Sequence, residues 1–191
     1  MQYTKKPYKI FLASQSPRRK ELMSLAQIDF DIIKIDVDED FPDDLAIENV
    51  PEYLAEKKAD ALQFIKPDEM IITADTVVII DNKIFGKPAD KVDAIDMLTQ
   101  IQDNIHTVIT GVCIKTFETK HIFSETTYVK FYPLTKDQIT FYIDNFKPYD
   151  KAGSYAIQEW VGVVGIEKIE GCFYNVMGLP ISKLIKEMNN L

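Results

Sequence analysis

Apolar and polar residues change their spacing repeatedly along the 191-residue chain, and the changes mark out alternating strands and helices. Residues 8–13 (YKIFLA) are mostly apolar, as a buried strand is. Ser16 and Pro17 then supply an N-cap and a first-turn proline for a helix over residues 18–27. Residues 30–36 alternate with a period of two and predict a second strand, which leads into an acidic loop holding Pro42. Over residues 51–65 the period lengthens, placing Leu54, Ala55, Leu62 and Ile65 on one helical face. Residues 70–80 (MIITADTVVII) form the longest β-branched run, a central strand that turns at Asp81 and Asn82 into Ile84 and Phe85.

Asp90 is placed to cap a helix that runs to about Gln102. Two long strands follow, over residues 105–117 and 120–132, with a spacer short enough for a hairpin. Thr135 and Gln138 have capping-box spacing for a helix to Asn145. Strands are expected over residues 163–169 and 172–176, and Pro180 opens a final helix. Crossover-like and hairpin connections occur together, which favours a mixed-sheet α/β architecture over an all-β fold or a helical bundle.

Composition narrows the field. At 46% hydrophobic residues, a chain of this length supports one domain, residues 1–191, with a substantial core. No apolar run reaches the length of a membrane span, and residues 10–13 are too short for a secretory leader, so no membrane partner is expected. Cys113 and Cys172 lie far apart in apolar segments without a CxxC or Cys/His grouping, which reads as two reduced core residues suited to the cytoplasm. The net charge of −8 repels polyanions and excludes general nucleic-acid binding, so a small phosphorylated ligand would need a local cluster of cations.

All seven glycines lie at or after Gly86, which removes any glycine-rich phosphate loop from the first half of the chain. Ser14-Gln15-Ser16-Pro17-Arg18-Arg19 offers another kind of phosphate site, with hydroxyls, helix-start amides and two guanidiniums after a strand. On spacing alone, a capped helix with solvated arginines fits equally well. Asp75-Thr76 interrupts an otherwise buried strand, and a buried carboxylate needs a cation, a metal or a water to activate. The stretch Asp36, Asp38, Glu39, Asp40 has a D-x-D-x-D rhythm, but Phe41 and Ile47 stand where a calcium loop needs glycine and glutamate; one member serving a magnesium site remains open. Lys57 and Lys58 read as ordinary solvated lysines, whereas Lys87, held between Gly86 and Pro88, is the more suggestive cation. Gln158, beyond the turn at Gly153 and Ser154, could read a base edge or be a structural amide, and His106 and His121 read as structural.

Eight motifs in order carry a family likeness over nearly the whole chain: LASQSPRR (residues 12–19), Glu39 after the DVD run, LAEKKA (54–59), ADTVV (74–78), GKP (86–88), HTVITGV (106–112), KAGSYAIQ (151–158) and GLP (178–180). Together they resemble the Maf family of nucleotide pyrophosphatases. The resemblance implies an α/β fold with a mixed twisted sheet in two lobes and a central cleft, similar to inosine triphosphate pyrophosphatases, and a homodimer. It implies Asp75 as proton acceptor, a divalent cation (magnesium, manganese or cobalt) at Glu39 and Asp75, and a nucleoside triphosphate among Ser14, Arg18, Arg19, Lys58 and Lys87. Arg18, Thr76 and Gln158 match the branch that acts on dTTP and UTP. The rival expectations are a non-catalytic nucleotide-sensing or cell-division (septum) regulator and a pyrophosphatase for modified purine nucleotides. One departure stands out: Gln102-Asp103 replaces the Ser-Gly common in relatives, a position where Asp103-Asn104 can still make the bend.

Overall fold

The computed structural model describes residues 3–4, 7–62 and 65–191. The elements follow the order β1 (Lys9–Leu12), α1 (Pro17–Leu25), β2 (Asp31–Ile32), α2 (Val50–Asp60), β3 (Glu69–Ile80), β4 (Lys83–Phe85), α3 (Lys91–Ile101), β5 (Ile105–Thr116), β6 (Lys120–Phe131), α4 (Lys136–Phe146), α5 (Trp160–Gly165), β7 (Ile166–Glu170), α6 (Phe173–Val176) and α7 (Ile181–Met188). Seven strands share one sheet in the order β2-β1-β3-β5-β6-β7, with β4 also paired to β3. Strand β1 runs parallel to β2 and β3, while β3–β4 and β6–β7 are antiparallel, so the sheet is mixed as expected.

Local chemistry explains most of these elements. Asp81 and Asn82 both adopt left-handed backbone angles, φ 46° and 60°, the conformation that closes a two-residue hairpin between β3 and β4. The Asp90 side chain accepts from the Asp93 amide at the start of α3. Thr135 and Gln138 complete a reciprocal capping box on α4. Asp103 takes φ 54°, a left-handed turn angle that aspartate tolerates.

Four expectations need correction. The second strand shrinks to Asp31–Ile32, after which the Ile33 amide donates to the Leu12 carbonyl. Helix α2 ends at Asp60 rather than at residue 65, because Lys115 donates to the carbonyls of Ala59 and Leu62 and closes the helix end; residues 63 and 64 of that expected helix lie outside the described residues. Residues 163–165 are helical and only Ile166–Glu170 is strand. At Gly162 a Cβ would sit 1.8 Å from the Ile157 carbonyl oxygen, so the chain is wound tightly there and Val163 is left 82% exposed. Residues 172–176 form no strand. Gly171 turns the chain at φ 127°, Cys172 is pinned to Thr127 through its amide and its carbonyl, and a single helical turn follows. Both thiols are free, with Cys113 buried and Cys172 half-buried.

The chain divides into two compact units, each assembled from separated stretches of sequence. The first comprises Met1–Asp75, Thr110–Glu125 and Gly178–Leu191; the second comprises Thr76–Ile109 and Thr126–Met177. The first unit's core includes Leu12, Leu22, Met23, Leu54, Ile72 and Leu184. The second is built around Leu98, Phe131, Tyr142 and Ile143. Among the described residues, no helix is long and apolar enough to cross a membrane.

Candidate active site

Within the first unit, the parallel pairing of β1 with β3 sets the geometry. Leu12 lies opposite Ile72, and the Ala13 amide donates to the Ile72 carbonyl at 2.9 Å, so the ladder carries Ser14 to the level of the strand just before Asp75. Helix α1 then begins at Pro17 and buries Leu22 and Met23. Ser16 is its N-cap but makes no side-chain capping bond. The buried Ser14 hydroxyl oxygen instead accepts from the Ser16 amide at 3.2 Å.

Arg19, on the first turns of α1, reaches back to three points. Its Nε donates to the Gly178 carbonyl at 2.7 Å, and its Nη1 donates to the Ala74 carbonyl at 2.8 Å and to Ser14 Oγ at 3.3 Å. Gly178 holds φ 107°, a left-handed angle that suits glycine and accounts for the glycine of the GLP motif. Loss of hydration lowers the Arg19 pKa, Asp75 opposes that shift, Arg18 adds to it and Glu39 opposes it. A guanidinium stays charged under all of these influences. The sequence places Arg19 among phosphate ligands; here a good part of its fork is engaged by the protein's own backbone.

That geometry makes a prediction. Lysine cannot reproduce a planar fork with separated donors, so Arg19→Lys is expected to lower kcat/KM by about tenfold and to reduce the melting temperature. Steady-state kinetics and a melting curve on the one variant check both, and parental values in both would show the clamp to be idle.

Helix α2 brings the opposing charge. Lys58 Nζ lies 2.5 Å from Asp75 Oδ1 and 2.9 Å from Glu39 Oε1, so one ammonium is shared by two carboxylates. Asp75 is 8% exposed, and the Lys58 side chain is nearly as enclosed, whereas Glu39 is open to solvent. Burial makes the inner contact the stronger one, because charges are screened less there. Beside it, Lys57 is bonded to Asp40, which holds the Asp40 carboxyl below its ordinary range. Spacing alone reads Lys58 as an ordinary lysine while the family resemblance puts it at the triphosphate; here it is shared by Asp75 and Glu39, and Lys87 is exposed in the loop after β4. Ser14, Arg19, Glu39, Lys58 and Asp75 are thereby linked through direct contacts or through the strand backbone. Arg18 is half-buried on α1 and carries its charge close enough to influence Arg19.

Thr76, Lys87 and Gln158 belong to the second unit. Thr76 is half-buried on β3, and Gln158 is exposed. In that unit the GKP and KAGSYAIQ segments meet, since the Gly153 amide donates to the Gly86 carbonyl at 3.1 Å. Gly153 and Ser154 both take left-handed angles, and a Cβ on Gly153 would press to 3.1 Å from the Val78 methyls. His106 is buried with Nε2 2.6 Å from the Tyr155 hydroxyl, and burial pushes its pKa down to about 3, so it is neutral and structural. His121 pairs with Glu187 at 3.0 Å.

The sequence did not point to two acceptors of the Arg19 clamp, because the carbonyls of Ala74 and Gly178 are backbone groups common to every residue.

The chain is similar to known proteins over nearly its whole length. A family model described as "Maf-like protein" matches residues 9–191. A protein from Bacteroides fragilis (strain YCH46) named "dTTP/UTP pyrophosphatase" is 50% identical over 186 residues, covering 96% of each chain. Proteins with the same name from Bacteroides thetaiotaomicron and Porphyromonas gingivalis (strain W83) are each 47% identical, covering 96% and 97% of this chain and 96% and 95% of theirs. Among solved structures, a HAM1 protein from Coxiella burnetii shares the fold, with a TM-score of 0.54 at 14% identity over 96% of this chain and all of that one.

Proposed function

Because the chain belongs to the Maf-like protein family, we propose that it is a nucleoside triphosphate pyrophosphatase that hydrolyses dTTP and UTP to the monophosphate and pyrophosphate. The observation that carries the reading is the enclosed Asp75 carboxylate, bonded to Lys58 and one residue beyond the carbonyl that Arg19 clamps. A carboxylate held in a fixed, enclosed position is placed to accept a proton from a water beside it.

The donor set of Glu39 and Asp75 fits a divalent cation. Two hard anionic oxygens already converge on one positive charge, and a magnesium-type site needs only one or two carboxylates when substrate phosphates complete it. When bound, such a cation supplies Lewis acidity at the phosphate oxygens.

The chain's own residues then divide the work. Asp75 takes a proton from the attacking water as its oxygen bonds to the α phosphorus. The bond from that phosphorus to the bridging oxygen breaks, and its electron pair leaves with pyrophosphate. Lys58, Arg18 and Arg19 offset charge gathering on the leaving group, with the hydroxyl of Ser14 and the first amides of α1 beside them. Lys87, and Thr76 and Gln158 as readers of the base, enter through the family resemblance, as do the homodimer and the cytoplasmic location.

The test is pyrophosphate release across canonical and modified triphosphates. The expected result is turnover of dTTP and UTP above the purine nucleotides, abolished by chelator and restored by magnesium, manganese or cobalt. Stoichiometric nucleotide binding without product would overturn the enzyme in favour of a sensor. Preference for a modified purine, unchanged in Gln158→Ala, would overturn the substrate class.

A further inference from the structure

Helix α2 is seated on the sheet through small residues. Ala55 and Ala59 on α2 form one buried cluster with Cys113 of β5. Gly111, two residues before Cys113 on the same side of that strand, lies so close to the helix start that a Cβ would be 2.2 Å from the Pro51 carbonyl carbon. A polar tie joins this apolar seat. Thr73 of β3, fully buried, donates its hydroxyl to the Ala55 carbonyl at 2.6 Å.

Thr73 precedes Asp75 by two residues, so both side chains leave β3 on one side. Ala55 precedes Lys58 by three, so both lie on one side of α2. The Thr73–Ala55 bond and the Asp75–Lys58 pair are therefore successive rungs between the same strand and the same helix. They are ~6.6 Å apart along the strand and ~4.5 Å apart along the helix, a difference that the long lysine side chain spans. Alanine and glycine surfaces let a helix slide, whereas a hydrogen bond has a preferred length and direction. Valine would fill the Thr73 position equally well and make no such bond.

We propose that Thr73 is a positioning residue: its bond to Ala55 fixes where α2 rests on β3 and so holds the Lys58 ammonium against Asp75 for turnover. The proposal rests on the pyrophosphatase reading above. Thr73→Val is expected to lower kcat for dTTP by about tenfold with KM within about twofold, and Thr73→Ser to stay within about twofold of the parent in both. In a Lys58→Ala background, Thr73→Val should cost nothing more, because the group it positions is gone.

Parental kcat in Thr73→Val, equal damage in Thr73→Ser, or a full further loss in the Lys58→Ala background would each overturn the proposal. If Thr73→Val does not fold, Thr73→Ala replaces it in the same cycle under the same criteria. A parent protein that releases no pyrophosphate sinks the functional reading alone. The positional claim is then read from the NMR resonance of 13C-dimethylated Lys58, which should shift in Thr73→Val and not in Thr73→Ser; an unmoved resonance in Thr73→Val overturns it.

Discussion

Asp75→Asn is expected to lower kcat for dTTP by about two to four orders of magnitude, with a much smaller change in KM. Asparagine keeps the shape of the side chain and its place on β3, so the Arg19 clamp on the Ala74 carbonyl and the packing around it survive. What disappears is the negative charge that Lys58 faces at 2.5 Å and, with it, the enclosed carboxylate's capacity to accept a proton from water. Nucleotide phosphates still meet Lys58 and the start of α1, so ground-state binding is retained while the reacting step loses its base. Single-turnover pyrophosphate release, with circular dichroism to confirm the fold, measures the effect. An asparagine protein at the parental rate would remove Asp75 from the chemistry.

Gly111→Ala is the second large effect, and it acts through packing. The added Cβ would meet the Pro51 carbonyl carbon at 2.2 Å and both the Pro51 oxygen and the Glu52 nitrogen at 2.3 Å. All three are backbone atoms at the start of α2, so no side chain can swing aside and the helix itself must lift from β5. Overpacking of this kind costs about 1–3 kcal/mol. For a chain of this size, that lowers the melting temperature by roughly 2–12 °C. Lifting α2 also carries Lys58 away from Asp75, so activity should fall at temperatures where the variant is still fully folded. A melting curve paired with kcat well below the transition separates the two consequences. An alanine variant with parental stability and rate would mean that the close approach at Gly111 is immaterial.

These two residues mark how far the sequence could be read. Asp75 stands out because a carboxylate inside a β-branched run is energetically anomalous, and it sits on β3 as expected. The turn at Asp81 and Asn82, the Asp90 cap and the Thr135–Gln138 capping box were legible for a related reason, since each is decided by residues within a few positions of one another. Gly111 gave no such sign, because a glycine within an apolar strand does not say which helix will press on it. The contacts of Lys58 were hidden for a similar reason: a lysine's surroundings depend on what faces it, and Glu39 and Asp75 come from 19 and 17 positions away in sequence. Residues 163–165 and 172–176 were misread because apolar periodicity over so few residues does not separate a strand from a helical turn.

The small-residue seat beneath α2 has a chemical side as well. Cys113 is wholly enclosed there, and burial pushes its thiol up to about 12, so almost none of it is thiolate at neutral pH. Peroxide and alkylating agents attack the thiolate, which makes this sulfur a poor target for either. In the folded protein Cys113 is therefore expected to react far more slowly with thiol reagents than an exposed cysteine, leaving the platform that carries Lys58 unmodified.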